Sequence, residues 1–180
     1  MKYSEEEIIE GCKKGNKKAQ KLLYDLYSRK YYGICLRYFK NSNEAEDALQ
    51  EGFVRIFNNI GKFRFEGSFE GWMRKIIVNT TLNFYKSNFK HYYGTDYDEV
   101  EEKIEDEYSA SDTLTVELML KTIQELPDGY RIVFNLFEIE GYSHKEIADM
   151  LGISVNTSKS QLMKAKKMLQ KKLSSVQYAK

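Results

Sequence analysis

Apolar residues recur along almost the whole chain at three- and four-residue spacing, the period of an amphipathic α-helix, and no stretch alternates as a half-buried strand would. Ser4 and Glu7 have the S-x-x-E spacing of a capping box, in which hydroxyl and carboxylate satisfy orphan backbone amides reciprocally, so a helix is predicted over 5–13. A long amphipathic helix rich in Leu and Tyr follows over 17–39, and Asn43 reads as the N-cap of a third helix reaching to about residue 60. Residues 61–68 are punctuated by glycine and predict a loop before a helix over 69–89. Residues 91–112 are polar, acidic and poor in aliphatics, so they bury too little to fold alone and read as a linker. Beyond them come a helix over 113–126, a break at Pro127-Asp128-Gly129, a helix to about residue 140 and two more helices. The predicted fold is all-α: two small helical domains, 1–90 and 113–180, joined by an acidic flexible linker over 91–112.

The last two helices carry the most specific local pattern. Ser143 and Glu146 form a second capping box; Ile147, Ala148 and Leu151 then make one apolar stripe, and Gly152 supplies the positive φ a helix C-terminus commonly needs. Ile153 can fill the corner. Ser154 caps the next helix, which sets Leu162, Ala165 and Leu169 inward and Thr157, Ser160, Gln161, Lys164 and Lys167 on or near one outward face. Two capped helices around a short glycine turn form a helix-turn-helix, whose second helix enters the major groove of duplex DNA N-terminal end first. Lys159, Ser160, Met163 and Lys164 are therefore candidate base readers. Lys166, Lys167, Lys171 and Lys172 are candidates for phosphates.

Composition would not have suggested DNA, because 28 basic and 27 acidic residues leave a formal net charge of +1. That average hides segregation: every charged residue from Val155 to Lys172 is a lysine, whereas 96–107 is acidic apart from Lys103. A chain divided in this way presents each element to a different partner. The two cysteines, Cys12 and Cys35, form no C-x-x-C and lie in apolar helical surroundings, which predicts buried reduced thiols and a cytoplasmic protein. The chain shows no signal peptide and no apolar run near a membrane span, and neither metal spacing nor a cofactor fingerprint.

Two further segments can carry chemistry. In 43–57, Asp47, Gln50, Glu51 and Val54 share one helix face, an acidic and amide surface able to receive a basic partner helix. Glu44, Glu46 and Asp47 also suit the positive end of the helix dipole without any partner. In 62–75, Lys62, Arg64, Arg74 and Lys75 interleave with Phe63, Phe65, Phe69 and Trp72, the make-up of a single-strand site in which bases stack on rings while cations follow phosphates. Phe63, Phe69 and Trp72 also suit helical packing. Arg64, Phe65, Glu66, Ser68, Lys75 and Asn79 are the better contact candidates, with Trp72 retained as a stacking surface.

These motifs, in this order, resemble the extracytoplasmic function class of bacterial sigma factors over nearly the whole chain. Asn-Glu-Ala-Glu-Asp-Ala-Leu-Gln-Glu-Gly-Phe-Val-Arg-Ile-Phe at 43–57 resembles the helix that docks on the clamp helices of the RNA polymerase largest subunit. Phe-Arg-Phe-Glu-Gly-Ser-Phe-Glu-Gly-Trp-Met-Arg-Lys-Ile-Ile-Val-Asn at 63–79 resembles the segment that melts and holds the minus ten element. Leu-Pro-Asp-Gly-Tyr-Arg-Ile-Val-Phe at 126–134 leads into the helix-turn-helix as in the minus thirty-five reader. The resemblance implies that 1–90 is sigma region 2 and 113–180 sigma region 4. Implied partners are core RNA polymerase, at the clamp helices and the flap region, promoter DNA in duplex and single-stranded form, and an anti-sigma factor. It also implies transcription initiation without membrane insertion. Asn156 and Ser158 depart from the Gly and Val of many members, and Ser158 is small enough to face the preceding helix. The linker fits either a nascent-RNA mimic or a plain tether. A stand-alone helix-turn-helix regulator would explain 113–180 alone. An enzyme finds little support, since His91 and His144 are the only histidines and His144 reads as a surface residue.

Overall fold

The computed structural model describes residues 3–88 and 116–177, with side chains through residues 87 and 174 respectively; the acidic linker and the predicted boundaries near 90 and 112 lie outside them. The described residues form two compact units, and every regular element among them is helical.

The first unit holds α1 (Glu5–Lys13), α2 (Lys17–Leu36), α3 (Ser42–Asn59) and α4 (Phe69–Asn88). The Ser4–Glu7 capping box is formed, with the Ser4 amide donating to Glu7 Oε2 at 2.8 Å. Helix α3 packs against both α2 and α4, and α1 lies on α2. Leu23, Tyr31 and Ile34 meet Ala48, Phe53 and Ile56 and, from α4, Met73, Ile77 and Leu82 in the core. Gly52 lets α3 and α4 come close: a Cβ there would lie 2.5 Å from Ile77 Cδ1. Cys12 and Cys35 are buried free thiols, and burial raises each to about 11.

Two boundaries differ from the sequence prediction. Helix α2 stops at Leu36, because Arg37 and Tyr38 donate three residues back, to Ile34 and Cys35 at 3.1 and 2.9 Å, and tighten the end. Tyr38 and Phe39 are still buried, Phe39 meeting Phe84 edge-on at 5.8 Å, so their apolar character marks core without marking helix. The N-cap of α3 is Asn41, not Asn43: Asn41 Oδ1 accepts from the Asn43 amide at 2.9 Å.

The second unit is built on α8 (Val155–Gln177), against which α5 (Val116–Gln124), α6 (Asp128–Phe134) and α7 (His144–Leu151) all pack. Between α6 and α7 the chain makes one π-helical turn, Asn135–Ile139. Arg131 is fully buried, donating to Gln124 O and Leu126 O at 3.2 and 2.8 Å and to Asp128 Oδ1 at 2.6 Å. Its guanidinium satisfies carbonyls at the end of α5 and ties them to the start of α6.

Candidate nucleic-acid interfaces

The helix-turn-helix forms as the capping signals require. The Ser143 amide donates to Glu146 Oε2 at 2.8 Å, Gly152 sits at φ 70°, and Ser154 Oγ accepts from the Thr157 amide at 2.9 Å. Ile147, Ala148 and Leu151 of α7 and Leu162 of α8 are buried, while Ala165 and Leu169 of α8 form a core cluster with Leu126. The face of α8 that remains exposes Lys159, Ser160, Met163, Lys164 and Lys167, with Met163 65% accessible. A face whose charges are all cationic, with one apolar tip, can follow phosphates and touch a thymine methyl.

Several expected contacts have other partners. Gln161 is half-buried and turns toward α6, where a Cβ on Gly129 would lie 2.9 Å from its Nε2, so it is not a free base reader. Lys172, expected on phosphate, is instead largely buried in an ion pair with Glu125, the residue that follows α5. Lys166 stays exposed but pairs with Glu138 at 2.6 Å, and Lys164 lies over the Tyr130 ring, 5.8 Å from its centroid. Thr157 is half-buried, its hydroxyl 2.8 Å from that of Ser154, and belongs to the cap more than to the open face. His144 is no idle surface residue. Its Nδ1 lies 2.9 Å from the hydroxyl of buried Ser158 and its ring stacks on Phe137 at 4.4 Å, joining α7 to α8. A Val at 158 could not make that bond.

In the first unit, the loop between α3 and α4 borders a cleft of about 450 Å³ that gathers Lys62, Arg64, Glu66, Ser68, Trp72 and Lys75. Ser68 Oγ accepts from the Gly71 amide at 3.1 Å and so starts α4. Phe63 and Phe69 are buried, as packing predicted, while Trp72 is half-exposed: it stacks on Phe69 at 5.7 Å and turns its remaining surface to the cleft. Cations around one open aromatic ring suit an unstacked base with its phosphate.

Phe65 and Asn79 are not part of that cleft. Asn79 is exposed on α4 beyond Lys75. Phe65 takes φ 60°, a left-handed conformation that costs a non-glycine residue about 1–3 kcal/mol, and its ring lies between Lys13 Nζ, 4.5 Å from the centroid, and Phe63 at 5.1 Å. Lys13, on a different helix, carried no sequence signal for this role. On α3, Asp47, Gln50 and Val54 are exposed on one face; Glu51 is half-exposed and pairs with Arg55 at 2.7 Å.

A lysine-faced helix-turn-helix in one unit and a cationic, aromatic cleft in the other define a two-part DNA-binding protein. Comparison with known proteins makes this specific. Residues 23–90 match the family model described as Sigma-70 region 2, and residues 117–169 match Sigma-70, region 4. The chain is 33% identical to the ECF RNA polymerase sigma factor SigW of Bacillus subtilis over 92% of this chain and 94% of that protein. It is 28% identical to the RNA polymerase sigma-H factor of Pseudomonas aeruginosa, covering 94% of this chain and 93% of that one. Among solved structures, CnrH in complex with the cytosolic domain of CnrY aligns with TM-score 0.50 at 20% identity, over 93% of this chain and 96% of that one. The sigma factor RpoE bound to the anti-sigma factor NepR, from Bartonella quintana, gives 0.51 at 17%, over 86% and 96%. At those identities the structures support the fold. The chain belongs to the ECF family of RNA polymerase sigma factors and is an alternative sigma factor; a stand-alone regulator leaves its region 2 unexplained.

Proposed function

We propose that this sigma factor binds core RNA polymerase through Asp47, Gln50, Glu51 and Val54 of α3, captures an unstacked promoter base in the cleft, and reads an upstream duplex element with α8. Residues 1–90 would then act as region 2, 113–180 as region 4 against the flap region, and 91–112 as the tether. The observation that carries this reading is the pairing, in one chain, of a cleft suited to a single strand with a helix suited to a duplex, each within its matched region. A protein that only bound duplex DNA would have no use for the cleft. The function requires no covalent step by the protein itself. Among the described residues no helix is long and apolar enough to cross a membrane, which accords with action in the cytoplasm. An anti-sigma partner is part of the proposal, supported by two similar folds whose structures hold CnrY and NepR.

The test is co-elution with core bacterial RNA polymerase, followed by run-off transcription from fragments of the source genome. Binding with new, discrete transcripts is expected, and Asp47→Lys should lower the co-eluting fraction without altering the protein's own folding. Duplex binding without polymerase binding would reject the sigma mechanism. Full co-elution of Asp47→Lys would remove α3 as the docking face.

A further inference from the structure

The cleft's bordering loop is held from outside the segment that matches the Sigma-70 region 2 model. Lys13 is the last residue of α1, ahead of the region 2 match that starts at residue 23, and its ammonium covers one face of the Phe65 ring. Glu10 pairs with the same ammonium at 2.9 Å from one turn back, fixing its position. Phe65 in turn meets Phe63, which packs on Trp72 at 5.5 Å, so α1 is joined through three contacting rings, each tilted to the next, to the aromatic surface of the cleft. The geometry also explains why a phenylalanine tolerates a left-handed backbone. With residue 65 at φ 60°, its ring lies against α1 while Arg64 and Glu66 on either side both line the cleft. The ring's contacts with Lys13 and Phe63 offset the cost of that backbone conformation.

We propose that Lys13 is a positioning residue for strand capture, acting through Phe65 to keep the loop in the shape that presents Arg64 and Glu66 to the melted strand. This rests on reading the cleft as the single-strand site. The cation attracts the electron-rich ring face, and a partly covered pair of this kind corresponds to about a fivefold effect. Since Lys13 touches neither duplex nor polymerase face in this scheme, its removal should slow strand opening and spare the steps before it.

Holoenzymes assembled from core polymerase and the full chain would be compared on a promoter recovered by run-off transcription. Closed-complex affinity is measured separately from opening rate, the latter with a fluorescent adenine analogue in the melted strand. Lys13→Met, which keeps the stem and removes the charge, should slow opening about fivefold at unchanged closed-complex affinity. Lys13→Arg should restore the rate, and in a Phe65→Leu background Lys13→Met should have no further effect. Lys13→Gln serves the same purpose if Lys13→Met does not fold. Trp72→Ala is the control for the cleft. Normal opening by Lys13→Met alongside slow opening by Trp72→Ala overturns the role of Lys13 alone. Normal opening by both overturns the cleft reading and this inference with it. Equal losses in closed-complex affinity and opening would show Lys13 to be a general stabiliser and overturn its positioning role.

Discussion

Lys164 reaches over the Tyr130 ring, Lys166 pairs with Glu138 and Lys172 with Glu125, while Lys159, Lys167 and Lys171 have no ion-pair partner among the described residues. One residue type thus serves different ends, and substitution should separate them. Lys159→Ala should weaken recognition of the upstream element by about 1–3 kcal/mol at fixed salt. Lys167→Ala should weaken binding evenly across sequences and lower the salt slope by about 0.9, as for one neutralised phosphate. Lys172→Ala should leave that slope alone and lower the stability of the second unit by about 1–3 kcal/mol, because it removes the half-buried ion pair with Glu125. Titrating duplex binding against salt, beside thermal melts, checks all three. The open lysines were legible in the sequence because exposure follows helical period. The engaged ones were not: Lys172 and Glu125 are 47 residues apart, and no local spacing links them.

At the level of the element, capping chemistry was the most legible feature, since its partners lie within three residues. Both capping boxes form, as does the glycine end of α7. Prediction failed where packing replaced helix: past Leu36 the apolar pattern continues but the backbone turns, and Asn41 takes the cap because its side chain reaches the Asn43 amide. Helix-to-helix approach was equally hidden. Gly52 is an ordinary helix breaker by composition, yet its missing side chain sets the distance between α3 and α4. Gly52→Ala should gain helix propensity but press on the buried Ile77, for a net loss of about 1–3 kcal/mol, measurable by denaturant unfolding. An increase in stability would show that Ile77 can repack.

For the whole molecule, the acid–base near-balance matters less than its division: the net charge of +1 says nothing of a helix whose charged residues from 155 to 172 are all lysines. In the proposed mechanism the two DNA-binding units would gain by acting together on polymerase, where each raises the other's effective concentration. The first unit also carries a pH limit in its core. Burial raises the Cys12 and Cys35 thiols to about 11 from an ordinary value of 9.0, and burial with the nearby Glu5 carboxylate raises Tyr27 to about 12 from 10.0. The unfolded chain therefore loses these protons first. The stability they contribute is fully present below about pH 9 and declines as pH rises toward 11. Thiol reagents at pH 8 should accordingly label the native protein slowly and the denatured protein at once; rapid native labelling would contradict the buried assignment.

By itself the sequence determined the helical class, the two units, the helix-turn-helix and the order of motifs that the sigma-70 family models match. All of these are written in local period, capping spacing and short contiguous signatures, which need no knowledge of the partner surface. Only the tertiary structure decided which residues of those motifs remain available: Trp72 opens to the cleft, Phe65 turns to Lys13, Gln161 folds toward Gly129 and Ser158 is bound to His144. Each of those choices depends on a residue from another element, brought near by packing between elements distant in the chain, and that proximity is not encoded at any fixed sequence spacing.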